Sequence, residues 1–142
     1  MTKHTAMYEF FKDIAYKVAA DTVNFNFSPE SPDSIAFITD YSEKYLKHYV
    51  RGGKKAYGFS IIVTKYYSME DDDINLQSIN FAQGLMNWVD KQNKLRNYPK
   101  FPENCRIIKM ENLQNMPNLA GVNTDLHLAR YMMQMRLEYE EH

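Results

Sequence analysis

The sequence predicts an α+β fold: a mostly antiparallel sheet of about five to six strands, mixed pairing admitted, with two helices packed on one face. Three observations carry this. Two segments repeat apolar residues at helical spacing, two others alternate apolar and polar residues over long runs, and several strands follow one another with no helix between them. Adjacent strands of that kind favour antiparallel pairing in a two-layer sandwich.

The 142 residues are 44% hydrophobic and 25% charged. That is the size of one domain, read as 1–142, able to bury about two thirds of the surface its unfolded chain exposes. A net charge of −1 gives the whole chain no electrostatic reason to seek nucleic acid or membrane. Charges interrupt every apolar run of the opening MTKHTAMYEFFKD, which reads as neither a signal peptide nor a spanning helix, so a cytosolic chain is expected. Cys105 is the only cysteine, which excludes an internal disulfide. A small, partly buried side chain at a strand start outweighs a catalytic thiol, because no histidine lies near it in sequence.

The first helix is predicted from about Thr5 to Ala20, with Met7, Phe10, Phe11, Ile14, Ala15 and Val18 on one face and Thr5 as N-cap. Val23 to Phe27 alternates as a short strand. Residues 28–34, SPESPDS, exclude regular structure. Ile35 to Ile38 is an apolar run of strand length, and its spacing to the next segment implies a meander.

Glu43 to Tyr66 reads as a hairpin about which the chain is arranged. Arg51-Gly52-Gly53-Lys54 joins its arms, with the glycines supplying the positive φ of a tight primed turn. The first arm carries Tyr45, Leu46, Tyr49 and Val50. The second carries Tyr57, Phe59, Ile61 and Val63 at two-residue spacing, the mark of a strand with one buried face. A second helix is predicted from about Asp73 to Asn93, with Leu76, Ile79, Phe81, Ala82, Leu85, Met86 and Val89 at helical spacing. Carboxylates oppose its dipole at the start, Trp88 lies near the buried stripe, and Gly84 is read as permitting close approach to the sheet. Pro99 and Pro102 bracket an irregular connection, Asn97 to Asn104. Arg106 to Met110 is a strand, Asn112 to Thr124 a loop containing Pro117 and Gly121, and Asp125 to Tyr139 a long strand. There Tyr131, Met133, Met135, Leu137 and Tyr139 share one face, which argues for a central position.

Signals for chemistry are sparse. Glu70-Asp71-Asp72-Asp73 offers carboxylate oxygens to a hard cation, but lacks the spacing of a calcium loop and is better read as a helix start. His4, His48, His127 and His142 are scattered, with no zinc spacing. Phosphate-cradle and serine-nucleophile motifs are missing. The expectation is no catalytic residues, no metal and no cofactor. An enzyme using Asp71 to Asp73 with a metal is the least supported class.

One local asymmetry stands out: six cations against Glu43 give the hairpin a charge of +5. Arg51, Lys54 and Lys55 either keep an exposed turn soluble or face phosphate or an acidic neighbour. The acidic run and Glu138, Glu140 and Glu141 supply the opposite sign, an arrangement that suits head-to-tail association.

Four features resemble the tail-terminator, or tail-completion, proteins of long-tailed bacteriophages, often labelled minor capsid proteins. They are the helix YEFFKDIAYKV, the hairpin KYLKHYVRGGKKAYGFSIIV, the helix ending near NWVDKQ before a Pro-bracketed connection, and the ending PNLAGVNTDLHLARYMMQMRLEYEE. The likeness covers almost the whole chain and rests on patterns, not catalytic residues. It implies a structural virion protein in the neck region of the tail, assembled in the host cytoplasm as a ring, commonly a hexamer. Such a ring stops growth of the tail tube and meets the head-completion proteins, so the implied partners are further copies, the tube protein and the connector, with passing contact to DNA. On that reading the interface residues are Tyr49, Arg51, Gly52, Gly53, Lys54, Lys55, Pro117, Leu119, Gly121 and Val122, and Arg51, Lys54 and Lys55 face nucleic acid. The alternative is a module binding single-stranded nucleic acid or a small ligand, stacking bases on Tyr45, Tyr57 and Phe59.

Overall fold

A computed structural model describes residues 2–12, 22–25, 34–40, 47–48 and 52–142. In chain order the elements are α1 (Lys3–Lys12), β1 (Thr22–Phe25), β2 (Ser34–Thr39), β3 (Lys47–His48), β4 (Gly53–Tyr66), α2 (Asp72–Leu95), β5 (Cys105–Asn112), β6 (Asn118–Asn123) and β7 (Leu128–Glu141). The fold is α+β. The sheet runs β1-β2-β4-β7-β5, with β3 added to β4 and β6 to β7. All described pairs are antiparallel except β1 with β2, which are parallel. The expected meander is corrected: β2 and β3 both pair with β4 and not with each other, because β4, at 14 residues, is long enough to take both along one side, which local spacing does not encode.

β4 and β7 form the spine, paired along their full length from Gly53↔Glu141 to Tyr66↔Leu128. Their alternation predicts which face is buried. Tyr57, Phe59, Ile61 and Val63 of β4 and Tyr131, Met133, Met135, Leu137 and Tyr139 of β7 all belong to the core. Both helices cover this face. Phe11 of α1 lies 5.4 Å from the rings of Phe37 and Phe59 and 5.8 Å from Trp88 of α2, while Phe37 stacks on Phe59 at 4.9 Å. None of the described helices is long and apolar enough to cross a membrane.

α1 starts two residues before the predicted cap. Thr2, not Thr5, caps it: the Thr5 amide donates to Thr2 Oγ1 at 3.1 Å and the Ala6 amide to the Thr2 carbonyl at 3.0 Å. Residues 1, 13–21, 26–33, 41–46 and 49–51, with the expectations that fall on them, lie outside the described residues. Asp71 caps α2, accepting from the Asp73 amide at 3.0 Å. At its other end Arg96 takes φ 53, and its amide and that of Asn97 bond back to Asn93 and Gln92.

The stripe of α2 is Ser78, Ala82, Leu85, Met86, Val89 and Gln92. Leu76 and Gly84 each fall about 200° around the helix from Ser78 and Ala82. Leu76 is accordingly exposed, and a Cβ on Gly84 would meet nothing within 4 Å. The predicted close approach of Gly84 to the sheet is therefore corrected. Asn93 instead ties helix to sheet, its Oδ1 accepting from the Met110 amide and the Tyr98 hydroxyl, both at 2.9 Å.

Candidate interaction surface

Among the described residues the predicted hairpin is represented by the pairing of Lys47 with Lys54 and of His48 with Gly53. Gly53 is already in β4, opposite His48, and among the described glycines only Gly52 has positive φ, +75°. Gly53 needs ordinary strand geometry because it also pairs with Glu141 at the end of β7. A Cβ on Gly52 would sit 1.7 Å from the Glu141 carbonyl oxygen. Gly52→Ala is thus expected to cost about 2–4 kcal/mol, combining a left-handed backbone with a clash against main chain. Urea unfolding checks this, and an unchanged midpoint would show that the turn yields easily.

β7 brings the acidic C-terminal residues against the basic start of β4. On the sheet face away from the helices, Glu138 is 6% exposed at its side chain. It lies 3.3 Å from Lys54 Nζ, 3.7 Å from Lys109 Nζ and 3.1 Å from Arg136 Nη2. Arg136 also donates to Glu111 at 2.8 Å, and Arg106 to Glu140 at 2.8 Å. On the helix side, Glu141 takes Lys55 and, at 3.3 Å, Lys3. The acidic neighbour of Lys54 and Lys55 is therefore the chain's own last strand; Tyr49 and Arg51 lie outside the described residues.

The hydrogen bond from Lys55 holds the Glu141 carboxyl below its usual value of 4.5, against the opposing effect of burial. At Glu111 burial pushes upward, and the bond from Arg136 with the charge of Lys109 outweighs it, again lowering the value. Both carboxyls are depressed in the folded state, so their stabilisation is complete above about pH 4.5 and drains as pH falls below it. Thermal unfolding should show Tm falling between about pH 4.5 and 3, less steeply in Glu111→Gln. An equal slope in the variant would contradict the pairing.

Cys105 is partly buried at the first position of β5, and burial pushes its thiol above the usual value, away from nucleophilic character. Among the described residues no group of three or more His, Cys, Asp or Glu side chains is placed to hold a metal. Of the candidate stacking residues, Tyr57 and Phe59 are buried beneath the helices, where bases cannot reach them, and Tyr45 lies outside the described residues.

The largest departure from expectation is the supposed loop Asn112 to Thr124. Residues 118–123 are strand β6, paired antiparallel with β7 from Asn118↔Met132 to Asn123↔Leu128, with an irregularity between Leu119 and Gly121. β5 pairs with the other half of β7, residues 135–141. Between the two, Gln114 takes the place of a strand. Its Nε2 donates to the Met132 carbonyl at 3.0 Å, and its Oε1 accepts from the Gln134 amide at 3.1 Å. Pro117 is buried, whereas Leu119 and Val122 are 55% and 49% exposed and Gly121 is half-buried. Leu119 and Val122 lie opposite Tyr131 and Ala129, on the face that elsewhere forms the core. Leu113, Met116 and Leu126 are exposed along the same segment.

No protein-family model matches the chain, and no curated protein matches it either.

Proposed function

We propose that this chain is a structural virion protein, a tail terminator that forms a hexameric ring on the head-proximal end of a phage tail tube. The ring stops tube growth and offers its opposite side to the head-completion proteins. The observation that supports this best is the β6 edge, an exposed strand with apolar side chains at the margin of the sheet, of the kind that docks against another protein. The part-buried pairing of Lys54 with Glu138 and of Lys55 with Glu141 fits the same reading, because it ties the start of β4 to the end of β7. The likeness in the ordering of helix, hairpin, helix and long terminal strand supplies the identity of the assembly.

Tube protein polymerising in the presence of the purified chain tests the reading. Tubes should stop lengthening once roughly one ring per growing end has been added. Continued elongation at a saturating ratio would contradict it.

A further inference from the structure

We infer that β6 is the edge through which a second copy of this chain docks, by adding an extended strand to the sheet. The inference deepens the ring reading and rests on it for the identity of the partner. Three observations carry it.

The first is an asymmetry along one side of β7. β5 and β6 occupy its two halves, yet β5 carries Arg106, Lys109 and Glu111, whereas residues 112–124 contain no Asp, Glu, Lys, Arg or His. Charges on an edge strand oppose pairing with another chain. One half of this side has them and the other lacks them.

The second is the pairing. Among the described residues β6 pairs with β7 alone, so its outer margin presents main-chain donors and acceptors at strand spacing. The complement to such a margin is another extended backbone, which bonds to the main chain and places alternate side chains over the neighbouring surface.

The third is the apolar area. Leu119 and Val122, 55% and 49% exposed, lie opposite Tyr131 and Ala129 and continue the core face of the sheet beyond the cover of the helices, while Leu113, bonded to Gln134, and Met116, beside Met132 and Gln134, are exposed on the other face. An added strand therefore meets apolar side chains on both faces of this edge. A stripe without charge also favours a partner without charge there. Copies of a chain of net charge −1 meet at such a stripe with little repulsion.

The test compares wild type with the double variant Leu119→Lys, Val122→Lys, two exposed positions. Native mass spectrometry measures assembly, and amide hydrogen exchange is followed in the assembled and single states. In wild type the amides of 118–123 should exchange roughly tenfold or more slowly when assembled, the mark of new main-chain bonds. The double variant should keep its Tm within a few degrees and assemble at least about tenfold more weakly. Equal exchange in both states, undiminished assembly of the variant, or a wild type that stays single at every concentration would overturn the inference. A wild type that assembles through β6 while tubes keep growing contradicts the tail-terminator reading alone. One that caps tubes with 118–123 unprotected overturns the β6 inference alone.

Discussion

Replacing Phe59 by alanine is expected to remove about 3–5 kcal/mol of stability, the usual range for deleting a buried aromatic ring. Phe59 is 0% exposed and sits where three elements meet: it stacks on Phe37 of β2 at 4.9 Å and lies 5.4 Å from Phe11 of α1. Its loss opens a cavity that none of its partners can fill alone, because Phe37 and Phe11 also pack on each other at 5.4 Å. For a chain of this length the unfolding midpoint should drop by roughly 10 °C. Phe59→Leu, which keeps most of the apolar volume, should lose less than half as much. Equal losses in the two variants would mean that ring packing does not hold α1 to the sheet.

The second large effect is expected at Glu138. This carboxylate is 6% exposed among Lys54, Lys109 and Arg136. Truncating it to alanine removes the one carboxylate that all three cations share, leaving Lys109 and Arg136 with Glu111. Removing one partner of a buried pair costs about 3–5 kcal/mol. The cations are 31–42% exposed and can turn toward water, which places the loss near the lower end, about 3 kcal/mol. Pairing Glu138→Met with Lys109→Met should recover part of it, since the second change removes a cation that the first leaves to share Glu111 with Arg136. Urea unfolding of the four members of the cycle measures the coupling. A double variant as weak as the sum of the two singles would show that Glu138 and Lys109 act independently.

These two residues also mark what the sequence could and could not disclose. Phe59 was legible because apolar residues recur at every second position from Tyr57 to Val63, a period that a strand with one buried face sustains. β7 was legible for the same reason, and α2 for its 3.6-residue stripe. Glu138 falls on the polar register of β7, where alternation predicts solvent. Its burial depends on Lys54 and Lys109 arriving on the flanking strands, which sequence spacing does not record.

β6 was hidden by a different cause. Pro117 and Gly121 mimic a loop, the irregularity at Ala120 breaks the period-two pattern, and the strand exists because β7 extends past β5 and offers main-chain groups that need partners. The misplaced cap at Thr5 is a smaller case: Thr2 and Thr5 are equally suited by chemistry, and the start of the apolar stripe does not choose between them. The interface residues proposed from sequence divide accordingly. Gly52, Gly53, Lys54 and Lys55 lie where β4 meets the chain terminus, whereas Pro117, Leu119, Gly121 and Val122 belong to the β6 segment.

The central claim is that the chain acts by closing into a collar on the end of a tube. Electron micrographs of tail tubes incubated with the purified protein test it most directly. The account predicts a ring of added density at one end of each tube and none along its length. Tubes with bare ends, or protein scattered along their walls, would contradict it.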